Sequence, residues 1–360
     1  MLKRPVLTWG AALSAAALLL TLGATAPADA SVASKAPGRA GHWLEAQLTR
    51  GLIHNGQYDF DDYGLTADTA FALEALGGHA DTVRTIRKAL ARHVGAWTTY
   101  GNEVYAGPVA KALVLAQSAH GDPRDFGGVD LVKDLKRRVS STAPYVGRIE
   151  DKAATDYANT IGQAFAARGL AVARSNRADD AIRFLLRQQC SKGFFRLNFA
   201  DKSAAKQGCD AGTRAQSSPD TDVTALTVIQ LEAVPHKSRK VERSIRDAVA
   251  WLKRNQRANG SFGGGTSTAD PNTNSTGLAG WAFAEAGTCG PAVKAATWVR
   301  KLQVTDQVAG ERGAIAYDRA GFKAATTDGI TTAARDQWRR ATAQAAPVLL
   351  NRTVGACSAP

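Results

Sequence analysis

One pattern recurs six times along this chain and limits the folds open to it. An amphipathic helix is followed by Gly-x-(aromatic or Ile) and then by a second helix of smaller residues. The punctuation reads Gly56-Gln57-Tyr58, Gly95-Ala96-Trp97, Gly147-Arg148-Ile149, Gly193-Phe194-Phe195, Gly260-Ser261-Phe262 and Gly313-Ala314-Ile315. Intervals clustering around 50 residues suit a helix-pair repeat. The stretch Lys240–Gly287 shows the grammar most completely. Ile245, Ala248, Val249 and Leu252 fall on one helical face, Asn259-Gly260 supplies a turn, and Asn274-Ser275-Thr276 offers an N-cap to a helix that is apolar and small nearly all round. Such a unit has a stripe and a whole helix to bury, so it folds only against copies of itself.

The pattern predicts first helices near His42–Leu52, Asp81–Val94, Val129–Val139, Ala178–Gln189, Val241–Gln256 and Pro291–Leu302. It predicts second helices near Thr66–Leu76, Pro108–Ala119, Tyr157–Ala173, Asp222–Ala233, Thr276–Ala286 and Arg335–Leu350. The long inserts Lys202–Pro219, Gly263–Thr273 and Asp318–Ala334 all fall between the two helices of a pair, which collects them on one face. The second helices carry few charges, and no convincing polar capping repeat closes an open array. These features predict an all-α protein: a single (α/α)6 toroid over residues 41–351 with the second helices inside.

The ends of the chain carry other signals. Lys3 and Arg4, an apolar run from Ala11 to Leu22 and Ala28-Asp29-Ala30 read as a secretory signal over residues 1–30, with Ala24-Thr25-Ala26 as a rival cleavage point. The run is short for a membrane span. Residues 31–40 are then expected to be a flexible segment and 352–360 a tail. An exported chain with four cysteines is expected to hold two disulfides. Cys190 and Cys209 flank a Gly-, Ser- and Lys-rich loop and close it at low entropic cost, which leaves Cys289 to Cys357 and ties down the tail. The net charge of +13 is spread over helix faces such as Arg84, Arg87, Lys88 and Arg92, or Lys133, Lys136, Arg137 and Arg138. Outside the cell such faces attract anionic wall polymers. No docking element for nucleic acid is evident.

Two segments, Trp251–Gly263 (WLKRNQRANGSFG) and Phe184–Phe195 (FLLRQQCSKGFF), resemble the aromatic-Leu…Gln…Gly-x-aromatic repeat of the squalene–hopene cyclase and protein prenyltransferase superfamily. Pro219–Ala233 and Pro271–Gly287 look like its inner-helix starts. The pattern is also similar to the toroid of the cobalamin-carrier proteins and of exported bacterial repeat proteins, and it spans about Gly41 to Leu350. The resemblance implies the toroid and little about activity, because this fold hosts catalysts and carriers alike.

In a closed toroid the parallel inner helices gather their N-termini at one mouth. Asp62, Tyr63, Asp68, Tyr105, Tyr157, Asn159, Asp220, Asp222, Asn274, Thr276, Gln337 and Trp338 are therefore expected to line it, although Asp, Asn and Thr there also serve as plain caps. The sharpest local signal is Asp59-Phe60-Asp61-Asp62, which resembles the Asp-x-Asp-Asp of class II terpene cyclases. The resemblance would make Asp61 the acid, supported by Asp59 and Asp62. Against it, Tyr63-Gly64-Leu65 intervenes before the expected helix, and aromatics, needed to stabilise cations, make up only 7% of the chain. His42, His54, His79, His93, His120 and His236 lack zinc-ligand spacing, so no metal and no cofactor are expected. Asp59, Asp61 and Asp62 lack the spacing of a calcium loop. A glycan lyase would need a base and a charge neutraliser, for which Tyr157 with Asn159 and Arg148 are the candidates. These residues point to an exported, non-catalytic toroid that holds a small molecule or glycan in its mouth or associates with the cell surface. A cyclase-like or lyase-like enzyme and a wall-bound structural protein are the alternatives.

Overall fold

The computed structural model describes residues 28–213, 216–351 and 353. In chain order the elements are α1 (Ala28–Ala46), the short strands β1 (Leu48–Thr49), β2 (Leu52–Asn55) and β3 (Phe60–Asp61), α2 (Tyr63–Leu76), α3 (Ala80–Arg92), α4 (Val94–Thr98), β4 (Thr99–Tyr100), β5 (Glu103–Val104), α5 (Ala106–Ser118), α6 (Leu131–Arg137), α7 (Thr160–Val172), α8 (Ala178–Leu186), α9 (Thr221–Glu232), α10 (Arg239–Asn255), α11 (Thr273–Glu285), α12 (Cys289–Arg300), α13 (Arg319–Asp328) and α14 (Thr332–Ala345). Helices α2, α5, α7, α9, α11 and α14 each touch the next, and α14 returns to α2, so the inner ring is closed. Helices α1, α3, α6, α8, α10 and α12 pack outside it as six pairs. The fold is the all-α (α/α)6 toroid that the repeats require.

Outer helices are amphipathic because they have one neighbour layer. On α10, Val241, Ile245, Ala248, Val249 and Leu252 are buried, and every Lys and Arg faces solvent. Inner helices have neighbours on both sides, and close approach accounts for their small residues. A Cβ at Gly162 would come within 3.0 Å of the Gly107 Cα, and one at Gly277 within 2.4 Å of the Ala345 Cα.

The Gly-x-aromatic signature joins one repeat to the next. Gly260 adopts φ +91°, and a Cβ there would meet the Lys294 carbonyl of the following outer helix at 2.4 Å. Only glycine tolerates both conditions. Gly147, Gly193 and Gly313 repeat the arrangement, and Gly313 presses on Arg39 of α1 to close the ring. Two residues on, Phe262 donates its N–H to Thr276 Oγ1 of the inner helix at 2.9 Å. Phe195 does the same to Thr224, Ile315 to Thr342 and Ile53 to Thr66, and Ile149 uses the amide oxygen of Gln163. Glutamines finish the joint: Gln256 Nε2 donates to the carbonyls of Gly260 and Pro291, and Gln303 Nε2 to those of Gly313 and Ala36.

Several expectations are corrected. Residues 31–40 are helical within α1, and Ala36 and Ala40 are buried at the ring's seam. The first outer helix ends at Ala46, and β1 and β2 occupy the rest of the expected His42–Leu52 helix, because Gly51 takes φ +85° and turns the chain there. Gly51 also serves as the first repeat's packing glycine, pressing on Thr85 and Ala89 of α3 in place of Gly56; a Cβ at Gly95 would meet nothing within 4 Å, so Gly95 does not act as one. Helix α2 starts at Tyr63, so Asp62 stands directly at an inner-helix start. Helix α11 is capped by Asn272, which accepts from Ser275 N–H, and not by Asn274. The insert Asp318–Ala334 is itself largely helical (α13). Cys190 and Cys209 are bonded, as the loop predicts. Cys357 and all but residues 28–30 of the expected signal lie outside the described residues.

Candidate functional site

The inner ring encloses a cavity of about 920 Å³. Each inner helix contributes one stripe at helical spacing: Gly64, Asp68, Phe71 and Ala75 from α2; Gly107, Pro108 and Lys111 from α5; Ile161, Phe165 and Arg168 from α7; Leu226, Ile229, Gln230 and Ala233 from α9; Leu278, Trp281 and Glu285 from α11; Ala343 and Gln344 from α14. Trp97, Tyr105, Asp151 and Tyr157 add to it at the N-terminal ends of α5 and α7. Six of the lining residues are aromatic, Phe71, Trp97, Tyr105, Tyr157, Phe165 and Trp281, so the cavity concentrates side chains that are sparse in the chain as a whole. Phe71 and Phe165 stack with centroids 5.8 Å apart.

The charged groups fall at the two ends. Near the helix N-termini, Lys111 pairs with Asp68 at 2.7 Å and donates to the Gly64 carbonyl. Asp151 caps the neighbouring helix α5 by accepting from Ala106 N–H at 2.7 Å, and it accepts from Tyr157 N–H at 2.9 Å. Burial pushes its carboxyl above the usual range. Tyr105 donates its hydroxyl to Glu103 at 2.6 Å, and that bond pushes its phenol up to about 12. At the other end, Arg168 donates to Gln230 Oε1 at 3.2 Å, while Glu74 and Glu285 act on it through space. Burial lowers the Arg168 guanidinium below its ordinary value. Trp281 Nε1 donates to Glu285 at 2.7 Å. Four carboxylates (Asp68, Glu74, Asp151 and Glu285) against two cations (Lys111 and Arg168) leave the cavity with a net charge of −2 inside a chain of +13.

Of the residues expected at the mouth, Asp68, Tyr105, Tyr157 and Asn159 line this cavity, with Asn159 also capping α7. The others lie elsewhere. Asp62 caps α2 and pairs with Arg340 across the seam. Tyr63 stacks on His93 at 5.6 Å. Thr276 is fully buried on the face of α11 turned to the outer layer, where it holds Phe262. Gln337 is exposed, and Trp338 is buried in the core, because α14 starts at Thr332 and places both in its second turn. The Asp59–Asp62 run does not assemble an enclosed acid. The Asp59 side chain is 96% exposed, Asp61 lies 3.0 Å from His54 Nδ1, and none of Asp59, Asp61 and Asp62 lines the cavity. Arg148 is buried and pairs with Asp156 at 3.0 Å, and it does not line the cavity that Tyr157 and Asn159 line.

Asp220, Asp222 and Ser275 form a second polar cluster beneath the loop of residues 263–271, and Asn274 stands beside Ser275 in the first turn of α11. Asp220 caps α9 by accepting from Asp222 and Val223 N–H. Asp222 Oδ1, Asn274 Oδ1 and Ser275 Oγ are buried without a hydrogen-bond partner. Gly264 packs so closely that a Cβ there would meet Asp222 Oδ2 at 2.8 Å and Ser275 Oγ at 3.0 Å. Burial, reinforced by the Asp220 charge and opposed by the nearby Ser275 hydroxyl, pushes the Asp222 carboxyl up to about 6.

Reading caps alone missed Lys111, Arg168, Glu285 and Trp281. Their signal was a lone large or charged residue at helical spacing in an otherwise small-residue inner helix. Among the described residues no group of three or more His, Cys, Asp or Glu is arranged to hold a metal ion.

No protein-family model and no curated protein matches this sequence. Solved structures do match. The type II terpene cyclase MstE from Scytonema is 15% identical with a TM-score of 0.61, covering 89% of this chain and 98% of its own. An unsaturated glucuronyl hydrolase specific for heparin is 12% identical with a TM-score of 0.62, covering 89% and 97%. A protein from Actinoplanes is 16% identical with a TM-score of 0.58, covering 89% and 99%. This chain has the toroid fold of these proteins.

Proposed function

We propose that the central cavity binds a small, largely apolar molecule that carries a cationic or hydrogen-bond-donating end. The observation that carries this reading is the combination of six aromatic side chains, with Tyr157 at the exposed mouth, and a net charge of −2 around a half-open cavity of about 920 Å³. That volume is in the range of small-molecule sites. Aromatic faces attract cations by about 0.5–2 kcal/mol each, and the uncompensated carboxylates add to that attraction. An anionic head would meet Glu74 and Glu285 beside Arg168 at one end and Asp68 and Asp151 at the other. The structurally similar MstE is described in complex with geranylgeranyl dihydroxybenzoate, which supports a role for the toroid cavity in holding an elongated apolar molecule.

The test is native mass spectrometry of protein purified from its producing cell, followed by titration of tryptophan emission. Dodecyltrimethylammonium is expected to bind at least tenfold more tightly than dodecanoate. An empty cavity and equal response to both amphiphiles would refute the reading.

A second reading is acid catalysis at a separate site beneath the 263–271 loop, outside the central cavity: the Asp222 carboxyl, raised to about 6 and with one oxygen unpartnered, can donate a proton to a ligand that enters there. If a recovered ligand is converted by the wild-type protein near pH 5.5 and left unchanged by Asp222→Asn, the chain is an enzyme. Export remains part of the proposal. The Cys190–Cys209 bond is compatible with an oxidising compartment, and no helix among the described residues is long and apolar enough to cross a membrane. N-terminal sequencing of protein from the culture medium tests it, with a new terminus at Ser31, or at Pro27 for the rival site, expected.

A further inference from the structure

Helix α10 spends charge in a way that its packing does not require. Arg239, Lys240, Arg243, Arg246, Lys253 and Arg254 are all exposed, against only Glu242 and Asp247. Arg239, Arg243, Arg246 and Lys253 fall at i, i+4, i+7 and i+14. At about 100° per residue these positions lie within about 40° of one line, and at about 1.5 Å per residue the row is about 21 Å long. Ala250, at i+11, fills the remaining place on that line without blocking it. Glu242 and Asp247 lie to either side of it.

None of the four cations reaches a carboxylate within ion-pair distance among the described residues. Some cations on other outer helices do, Arg84 with Asp81, Arg137 with Asp134 and Arg183 with Asp180, while Lys88 and Arg92 on α3 likewise have no ion pair among the described residues and make that helix a fair control. Glu242 and Asp247 stand at i,i+3 or i,i+4 from Arg239, Arg243 and Arg246 and offset the like-charge repulsion within the helix, but two carboxylates against six cations leave the exposed face strongly positive.

We propose that this face of α10 binds a linear polyanion bearing phosphate groups, laid along the helix. Three of the four cations are arginines, whose planar guanidinium grips phosphate oxygens in pairs. A straight row matches an extended chain. A bilayer fits poorly, because a helix that lies in a membrane interface needs an exposed apolar face. The apolar face of α10 is buried in the protein core, and the large exposed apolar side chains (Tyr58, Phe60, Tyr100, Val146, Tyr157, Val172 and Leu350) all lie on other segments. The proposal uses no residue of the central cavity.

The experiment measures binding of long-chain inorganic polyphosphate by fluorescence anisotropy between about 50 and 300 mM salt. It compares the wild type with R243Q/R246Q/K253Q and with R84Q/K88Q/R92Q, which removes the same charge from α3. The α10 triple is expected to lose at least tenfold in affinity at about 150 mM salt and about two units of the slope of log K against log salt, while the α3 triple stays within about threefold of the wild type. Equal losses in both triples would reduce the effect to net charge and overturn the proposal. So would absence of wild-type binding, or binding to phosphatidylglycerol vesicles as tight as to polyphosphate. All six substituted side chains are exposed, so the variants are expected to fold, and far-ultraviolet circular dichroism checks that they do.

Discussion

Asp222→Asn should make this protein more stable at neutral pH. In the folded state the Asp222 carboxyl titrates at about 6 instead of its ordinary 3.8, because burial beneath the 263–271 loop and the neighbouring Asp220 disfavour the charged form. A raised carboxyl pKa means that the native state holds its proton more tightly than the unfolded chain does. Stability contributed by this group is therefore full below about pH 4, falls as pH rises toward about 6, and is flat above. Across that pH interval, at about 1.4 kcal/mol per pH unit, the loss has an upper scale on the order of 3 kcal/mol. Asparagine has the same shape, stays neutral and can donate to the neighbouring Ser275 hydroxyl. Urea denaturation of both proteins at half-unit steps from pH 4 to pH 8 measures the difference. The two stabilities should converge near pH 4, and the variant should lead by about 1–3 kcal/mol at pH 7. A gap that does not change with pH, or a wild type that is the more stable at pH 7, would show that Asp222 is not a strained buried carboxyl.

Three further predictions concern the joints and the mouth. Gly313→Ala places a Cβ 2.0 Å from the Arg39 carbonyl at φ +105°, so it should cost about 3 kcal/mol or more by denaturant melts; Gly95→Ala, with nothing within 4 Å, should change stability by no more than about 1 kcal/mol. Thr276→Val leaves the buried Phe262 N–H without its acceptor and should cost about 1–3 kcal/mol, with faster amide exchange at Phe262 as the local readout. Glu103→Gln removes the charged acceptor of the Tyr105 hydroxyl, so the Tyr105 phenol should ionise well below its present value of about 12 in ultraviolet titration, with Tyr105→Phe identifying its contribution.

What the sequence determined by itself is the repeat and its local chemistry. The Gly-x-aromatic signature, with the glutamine before it, was readable because each glycine answers a backbone requirement within a few residues, seen at Gly147, Gly193, Gly260 and Gly313. Alternating amphipathic and small-residue helices declared the two layers, and the short Cys190–Cys209 loop declared its bond. The first repeat was misread because Gly51, five residues before Gly56, carries the turn. Apart from Asp68, Tyr105, Tyr157 and Asn159, the cavity lining was decided by tertiary structure. Caps such as Asp62 and Asp220 face their own helix N–H groups, which consumes the polar atoms that a sequence reading assigns to the mouth. Which stripe of an inner helix meets the axis depends on its rotation, and that rotation is set by both neighbours and by ring closure. Lys111, Arg168 and Glu285 are far apart in the chain and share a cavity only because α14 returns to α2.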